Sequence, residues 1–64
     1  MKAKVIATIK NSPVFPIDTF TAEETVEFPD NENVFGRVLI ARQQFKKRYG
    51  EEIDLTIREV VYLD

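Results

Sequence analysis

Apolar and polar residues alternate along the first ten positions of the chain. Ala3, Val5, Ala7 and Ile9 share one face of an extended segment, and mainly polar residues occupy the other. Because successive side chains of a strand point to opposite faces, this pattern predicts a half-buried strand over residues 2–10. Two prolines in the following segment, NSPVFPIDTF, interrupt regular pairing and predict a loop.

A second alternating segment, ETVEF at residues 24–28, predicts a strand that ends at Pro29. Val26 and Phe28 would point inward. The preceding TAEE, Thr21 to Glu24, also matches a capping box, in which a threonine caps a helix and a glutamate three residues later bonds back to it. A single helical turn before this strand is therefore an open alternative.

Helical periodicity dominates residues 30–50. Short polar side chains between Asp30 and Asn33 suit a helix start, and Gly50 suits its end. At about 100° per residue, one apolar stripe is predicted to face the core. Its members are Val34, Val38, Ala41, Phe45 and Tyr49, widened by Phe35 and Leu39. Arg42 falls inside the stripe, where it either lies along the rim of the core or presents a recognition arginine, and Ile40 falls on the polar side.

The last segment, residues 53–63, returns to period-two alternation and predicts a third strand. Its apolar positions are 53, 55 and 57 in the first half, but 60 and 62 in the second half. Either a bulge near Arg58 and Glu59 turns Val60 and Tyr62 inward, or these two residues form an apolar patch on the outer face. The pattern alone leaves both interpretations open.

The order strand, strand, helix, strand predicts a single α+β domain over residues 1–64. Strands joined by a loop prefer antiparallel pairing, and a right-handed crossover through the helix returns the third strand parallel to the second. Placing the third strand on the free edge of the first gives the order 2-1-3. We therefore predict a three-stranded antiparallel sheet with one helix packed on one face, which is all that 64 residues can build.

Composition narrows the class of protein. The chain has no cysteine and no histidine, so it lacks disulfides, thiolate ligands and the commonest general base near neutral pH. The 44% apolar content fits a folded domain, and no apolar run approaches the roughly 18 residues of a membrane span. We predict a cytoplasmic, non-enzymatic protein that has no cofactor, no metal and no membrane partner.

Charge is segregated into blocks along the chain. The predicted order places the basic first strand between two acidic strands, where opposite charges on neighbouring strands attract. Residues 37–50 carry five cations and no acid, although the chain has a net charge of −2. These cations suit the unpaired carbonyls of a helix end. The alternative is that they bind nucleic acid, with the ring of Tyr49 stacking on a base. The net negative charge of the chain disfavours this alternative. The residues of this alternative are Arg42, Lys46, Lys47, Arg48 and Tyr49.

Three surfaces are candidates for binding another protein or a second copy of the chain. On the outer sheet face, Ile6, Val60 and Tyr62 would form a small apolar centre beside Arg58. In the proline-rich loop, Phe15 either folds over the core or projects as an anchor. The third surface consists of the two free strand edges.

The acidic segment from Asp18 to Glu32 suggests a variant of protein binding. Glu23, Glu24 and Glu27 would present negative charge to a partner's nucleic-acid groove in place of phosphates. The strand-then-helix plan of TVEFPDNENVFGRVLIARQQF, with the closing strand LTIREVV, is similar to the small bacteriophage inhibitors of host RNA polymerase, although no motif specific to that family is present. We predict a small protein-interaction module, either a viral or mobile-element factor that inhibits a host protein or a homodimer.

Overall fold

The computed structural model describes residues 1–15 and 17–63, which form one sheet and one helix. The elements in chain order are β1 (Lys2–Lys10), β2 (Thr19–Glu27), α1 (Val34–Tyr49) and β3 (Asp54–Tyr62). Both strand pairs are antiparallel and the strand order is β2-β1-β3, which confirms the predicted fold. Because β1 is central, β2 and β3 are the two edges of the sheet.

The core lies between the sheet and the second half of the helix. The inward side chains of β1, Ala3, Val5, Ala7 and Ile9, have no exposed surface. The other buried apolar residues are Ala22, Val26, Phe28, Ala41, Phe45, Tyr49, Ile53 and Leu55. Large rings from the helix therefore rest on small and branched side chains of the central strand.

The second strand begins earlier than its sequence predicts, at Thr19, and the alternative of a helical turn at 21–24 is wrong. Glu24 occupies an inward position of this strand and is buried. Its carboxylate accepts a hydrogen bond from Gln44 Nε2 at 3.0 Å and pairs with Arg48 Nη1 at 3.2 Å. A buried carboxylate requires such partners, so these contacts attach the helix to β2.

A bulge interrupts the pairing of β3 with β1. The register shifts between Ile6 and Ala7, and Arg58 is the extra residue on β3. Arg58 Nε donates to Thr8 Oγ1 at 2.9 Å on the outer face of the sheet. Of the two interpretations of this strand, the bulge near Arg58 is thus confirmed.

The bulge decides which face the end of β3 presents. Val60 lies opposite Val5 and Tyr62 lies opposite Ala3. Directly opposite residues of an antiparallel pair share a face, so both side chains point toward the helix. The interpretation that joins Val60 and Tyr62 to Ile6 on the outer face is wrong.

The ends of α1 match their sequence signals. Asn33 Oδ1 accepts the Gly36 N–H at 2.8 Å, and the Gly50 N–H donates to the Lys46 carbonyl at 2.8 Å. Gly50 has a φ of 127°, a conformation that residues with a Cβ rarely adopt.

Only part of the predicted apolar stripe is buried. Ala41, Phe45 and Tyr49 face the core. The prediction is wrong for the first half of the helix, where the exposed apolar residues are Val34, Phe35, Val38 and Leu39. Ile40, predicted on the polar side, is partly buried against the core. The helix is thus rotated and less fully covered than its periodicity predicts.

Candidate functional site: an open apolar groove

The first half of α1 and the second half of β3 leave a groove between them, here called the open groove. It encloses about 80 Å³. Its lining consists of Phe28, Val34, Arg37, Val38, Ala41, Ile57, Val60 and Tyr62. Arg37 is the one charged residue in this lining.

The open groove exists because the inward side of α1 carries valines in its first half and aromatic rings in its second half. Val34 and Val38 lie on the same stripe of the helix as Phe45 and Tyr49, but in earlier turns. Valine reaches less far toward the sheet, so the space above Val60 stays unfilled. As a result, Val34 is 70% exposed and Tyr62 is 49% exposed.

Arg37 brings a positive charge into the wall of the open groove. Its Nη1 donates to Tyr62 Oη at 3.1 Å, and its guanidinium lies 5.6 Å from the centre of the tyrosine ring. Its Nε is buried without an acceptor, and none of the ion pairs in the described residues involves Arg37. A buried donor without an acceptor costs about 1–3 kcal/mol.

The open groove adjoins an unpaired stretch of backbone. The Leu63 N–H donates to the Lys2 carbonyl at 3.0 Å, so Leu63 directs its backbone groups toward β1. Backbone groups alternate sides along a strand, so Val60 and Tyr62 direct theirs to the free edge. The same two residues therefore present side chains to the groove and hydrogen-bonding groups to the edge.

Farther along β3, the edge is covered by the helix. Arg42 Nη1 donates to the Leu55 carbonyl at 3.2 Å, and the side chain is partly buried. This contact supports the interpretation that Arg42 lies along the rim of the core rather than being presented for recognition. No such contact is found in the described residues at the half of β3 that adjoins the groove, which is called the open half of the edge here.

The opposite edge, on β2, has a different character. Gln44 Nε2 donates to the Thr25 carbonyl at 3.0 Å and covers part of it. The residues of β2 that alternate with its buried positions carry polar, exposed side chains, and they are Thr19, Thr21, Glu23, Thr25 and Glu27. Such an edge offers no apolar pocket beside its backbone and is protected by charge.

The end of the molecule away from the open groove is filled by rings, and it is called the aromatic end here. The ring of Phe15 lies 4.9 Å from that of Phe20 and 5.6 Å from that of Tyr49, while Phe20 and Tyr49 lie 5.4 Å apart. Ser12 Oγ donates to the Tyr49 carbonyl at 2.6 Å, which ties the loop to the helix end. Phe15 thus packs against the end of the core and is still 42% exposed, so its role in protein binding stays a prediction.

Several residues predicted for nucleic-acid binding are engaged in the fold. Tyr49 is buried within the aromatic end, so its ring has no free face for a base. Arg48 pairs with Glu24, and Arg42 bonds to the backbone of β3. Lys46 and Lys47 remain as the cations of this helix end, with no ion pair in the described residues.

The predicted acidic surface is also partly neutralised. Glu24 is buried, Glu23 Oε1 lies 3.6 Å from Lys4 Nζ, and Glu27 is directly opposite Lys2. These contacts agree with the expectation that the basic central strand attracts acids on its neighbours. They leave few free carboxylates to imitate phosphates.

The sequence pattern identifies Val60 and Tyr62 as candidates but misses the helix residues of the groove. Helical periodicity puts Arg37 on the polar side and assigns Val34 and Val38 to the core. A usable signal is the change in side-chain size along the stripe, from valine in its first turns to aromatic rings in its last. A stripe whose side chains change from small to large along the helix indicates unequal packing at its two ends.

Within residues 1–15 and 17–63, no group of three or more His, Cys, Asp or Glu is arranged to hold a metal ion. No helix in the same ranges has the length and apolar character that crossing a membrane requires. Comparison with known protein families, curated proteins and solved structures finds no match to this chain. The open groove is therefore the feature from which a function is inferred.

Proposed function

We propose that the protein is a small non-enzymatic interaction module that binds another protein through the open groove. The supporting observation is that apolar side chains of two elements face each other across unfilled space. A chain of 64 residues has little apolar surface to spare for its own core. Contiguous exposed apolar surface in small soluble proteins commonly marks an interaction site.

The size and lining of the groove favour a protein ligand over a small molecule. Pockets for cofactors and substrates usually enclose about 300–1,000 Å³. The open groove encloses about 80 Å³, which suits one or two apolar side chains. Arginine and tyrosine, the two polar residues in its lining, are the types enriched at the energetic centres of protein interfaces.

A displayed library of random short peptides tests this function and does not require the partner to be identified first. We expect the wild-type chain to enrich apolar peptides, and Val38→Asp to lose them because it places a charge in the groove. Val14→Asp is the matched control, since Val14 is also exposed but lies outside the groove. Peptides bound equally by all three proteins, or no enriched peptides, would contradict the proposal.

The role of an inhibitor of a host protein, and the alternative of a homodimer, stay predictions. Sedimentation of the wild type and of Val38→Asp over a range of concentrations separates them. A dimer that Val38→Asp abolishes would mean that the groove binds a second copy of the chain. A monomer at all concentrations would leave the groove free for a different protein.

A further inference from the structure

We infer that the open groove and the open half of the β3 edge form one binding site for an extended segment of another protein. This segment adds to the sheet as a fourth strand beside β3 and brings a carboxylate to Arg37. The inference rests on the proposed function and specifies the conformation and charge of the ligand.

The backbone of β3 supplies the first reason. Val60 and Tyr62 direct unpaired N–H and C=O groups to the edge and their side chains into the groove. A segment that pairs with these groups must be extended, and every second side chain of it then points toward the helix. Pairing with the edge and filling the groove are therefore achieved by the same ligand.

The helix supplies the second reason, because its apolar surface extends beyond the groove. Phe35 is 83% exposed and Leu39 is also exposed. At about 100° per residue, both lie within about 60° of Arg42 around the helix axis. Arg42 reaches the edge carbonyl of Leu55, so this side of α1 faces the edge of β3. An added strand would lie beside these exposed side chains.

The charge of Arg37 supplies the third reason. It has no ion-pair partner among the described residues, and its Nε lacks an acceptor. A purely apolar ligand would bury this charge further without compensation, which is costly. A ligand with one Asp or Glu among its inward side chains supplies the counter-charge for the guanidinium.

A second copy of the chain that pairs through β3 does not meet these requirements within the described residues. If β3 paired with β3 of another copy, the side chains directed toward the helices would be those that face inward in this chain. Among residues 54–62 these are Leu55, Ile57, Val60 and Tyr62, none of which carries a carboxylate. Glu59, the acid of this strand segment, lies opposite Ile6 on the outer face. Charge complementarity thus favours a different protein as the ligand, and self-association is a separate outcome of the test.

The test uses the peptides selected by the wild-type chain and rejected by Val38→Asp. We expect their sequences to alternate apolar and polar residues. One Asp or Glu should replace an apolar residue at a position whose side chain points toward the helix. In the free chain, the amides of Val60 and Tyr62 should exchange with solvent faster than those of Val61 and Leu63. Saturating peptide should slow the exchange of Val60 and Tyr62 by about tenfold or more, as paired amides require.

Two pairs of variants separate strand pairing from simple apolar contact. Methylating the peptide amides that face β3 should weaken binding about tenfold or more, whereas methylating the alternate amides should have little effect. Changing the peptide acid to its amide should weaken binding to the wild type about tenfold, and much less to Arg37→Gln. Arg37→Glu should recover affinity for a peptide in which lysine replaces the acid.

Each other result overturns the inference in a distinguishable way. Selected peptides that bind as helices, lack an acid or leave the exchange of Val60 and Tyr62 unchanged would disprove strand addition while preserving the proposed function. A self-association that slows the same two amides would assign the edge to a second copy. The absence of any peptide that depends on the groove would reject the proposed function itself.

Discussion

The two ends of the helix-covered face differ in how they use apolar residues. At the aromatic end, rings from the loop, β2 and α1 fill the space and Phe45 has no exposed surface. At the open groove, valines of α1 face Val60 across unfilled space, and Phe35 of the same helix is 83% exposed. The same type of residue is thus buried in the core at one end of the helix and exposed at the other.

This difference matters because the total stability of so small a chain is limited. The usual range per residue gives about 3–10 kcal/mol for a domain of this size. Most of the favourable burial must come from the aromatic end and the middle of the sheet, where the core lies. The open groove can remain unfilled only because that part of the core is well packed.

The largest difference between the ends should appear when phenylalanine is truncated. Phe45→Ala creates a cavity in the core and should cost about 3–5 kcal/mol, a large part of the total stability. Phe35→Ala removes an exposed ring in the same helix and should change stability by less than about 0.5 kcal/mol. Urea denaturation of both variants measures this difference. Similar losses for the two variants would show that the ends are packed alike.

Glycine substitutions should give the next largest difference, with opposite signs. Gly50 has a φ of 127°, and an added Cβ would lie 2.7 Å from Pro13 Cδ, so Gly50→Ala should destabilise the fold by about 1–3 kcal/mol. Gly36 lies in the helix, where alanine is favoured by up to about 1 kcal/mol. There the nearest atoms to the added Cβ belong to the side chain of Glu32, which can move away. Thermal unfolding tests both, and destabilisation by Gly36→Ala would contradict this view of the open end.

A smaller difference should separate two neighbouring glutamates of β2. Glu24 is buried and bonds to Gln44 and Arg48, so Glu24→Ala should cost about 1–3 kcal/mol. Glu23 forms an exposed pair with Lys4, and Glu23→Ala should cost less than about 1 kcal/mol. Chemical denaturation measures both values. An equal effect would mean that Glu24 does not hold the second half of the helix to the sheet.

The topology was predictable because most local signals agree with it. Alternation identified β1 and β3, and the polar residues from Asp30 to Asn33 together with Gly50 marked the helix ends. The blocks of charge favoured a basic strand between acidic ones. The change of phase after Ile57 made a bulge one of two interpretations. Each of these signals depends on residues that are close in sequence or on a simple pairing rule.

The remaining features depend on contacts between distant residues. The start of β2 was missed because Glu24 breaks the apolar alternation, and its burial is compensated only by Gln44 and Arg48 of the helix. The exposure of Val34 and Val38 was missed because periodicity shows which side of a helix is apolar. It does not show how much of that side the sheet will cover.

The most direct test of the difference between the ends is to map a small ligand by NMR. The probe is 4-phenylbutyrate, which combines an apolar ring with a carboxylate, and its alcohol 4-phenylbutan-1-ol serves as the uncharged control. We predict that 4-phenylbutyrate shifts the amide signals of Val38, Val60 and Tyr62, and that the alcohol binds more weakly because it lacks the charge that complements Arg37. Shifts that instead cluster at Phe15, Phe20 and Tyr49 would contradict the assignment of the binding site to the open groove.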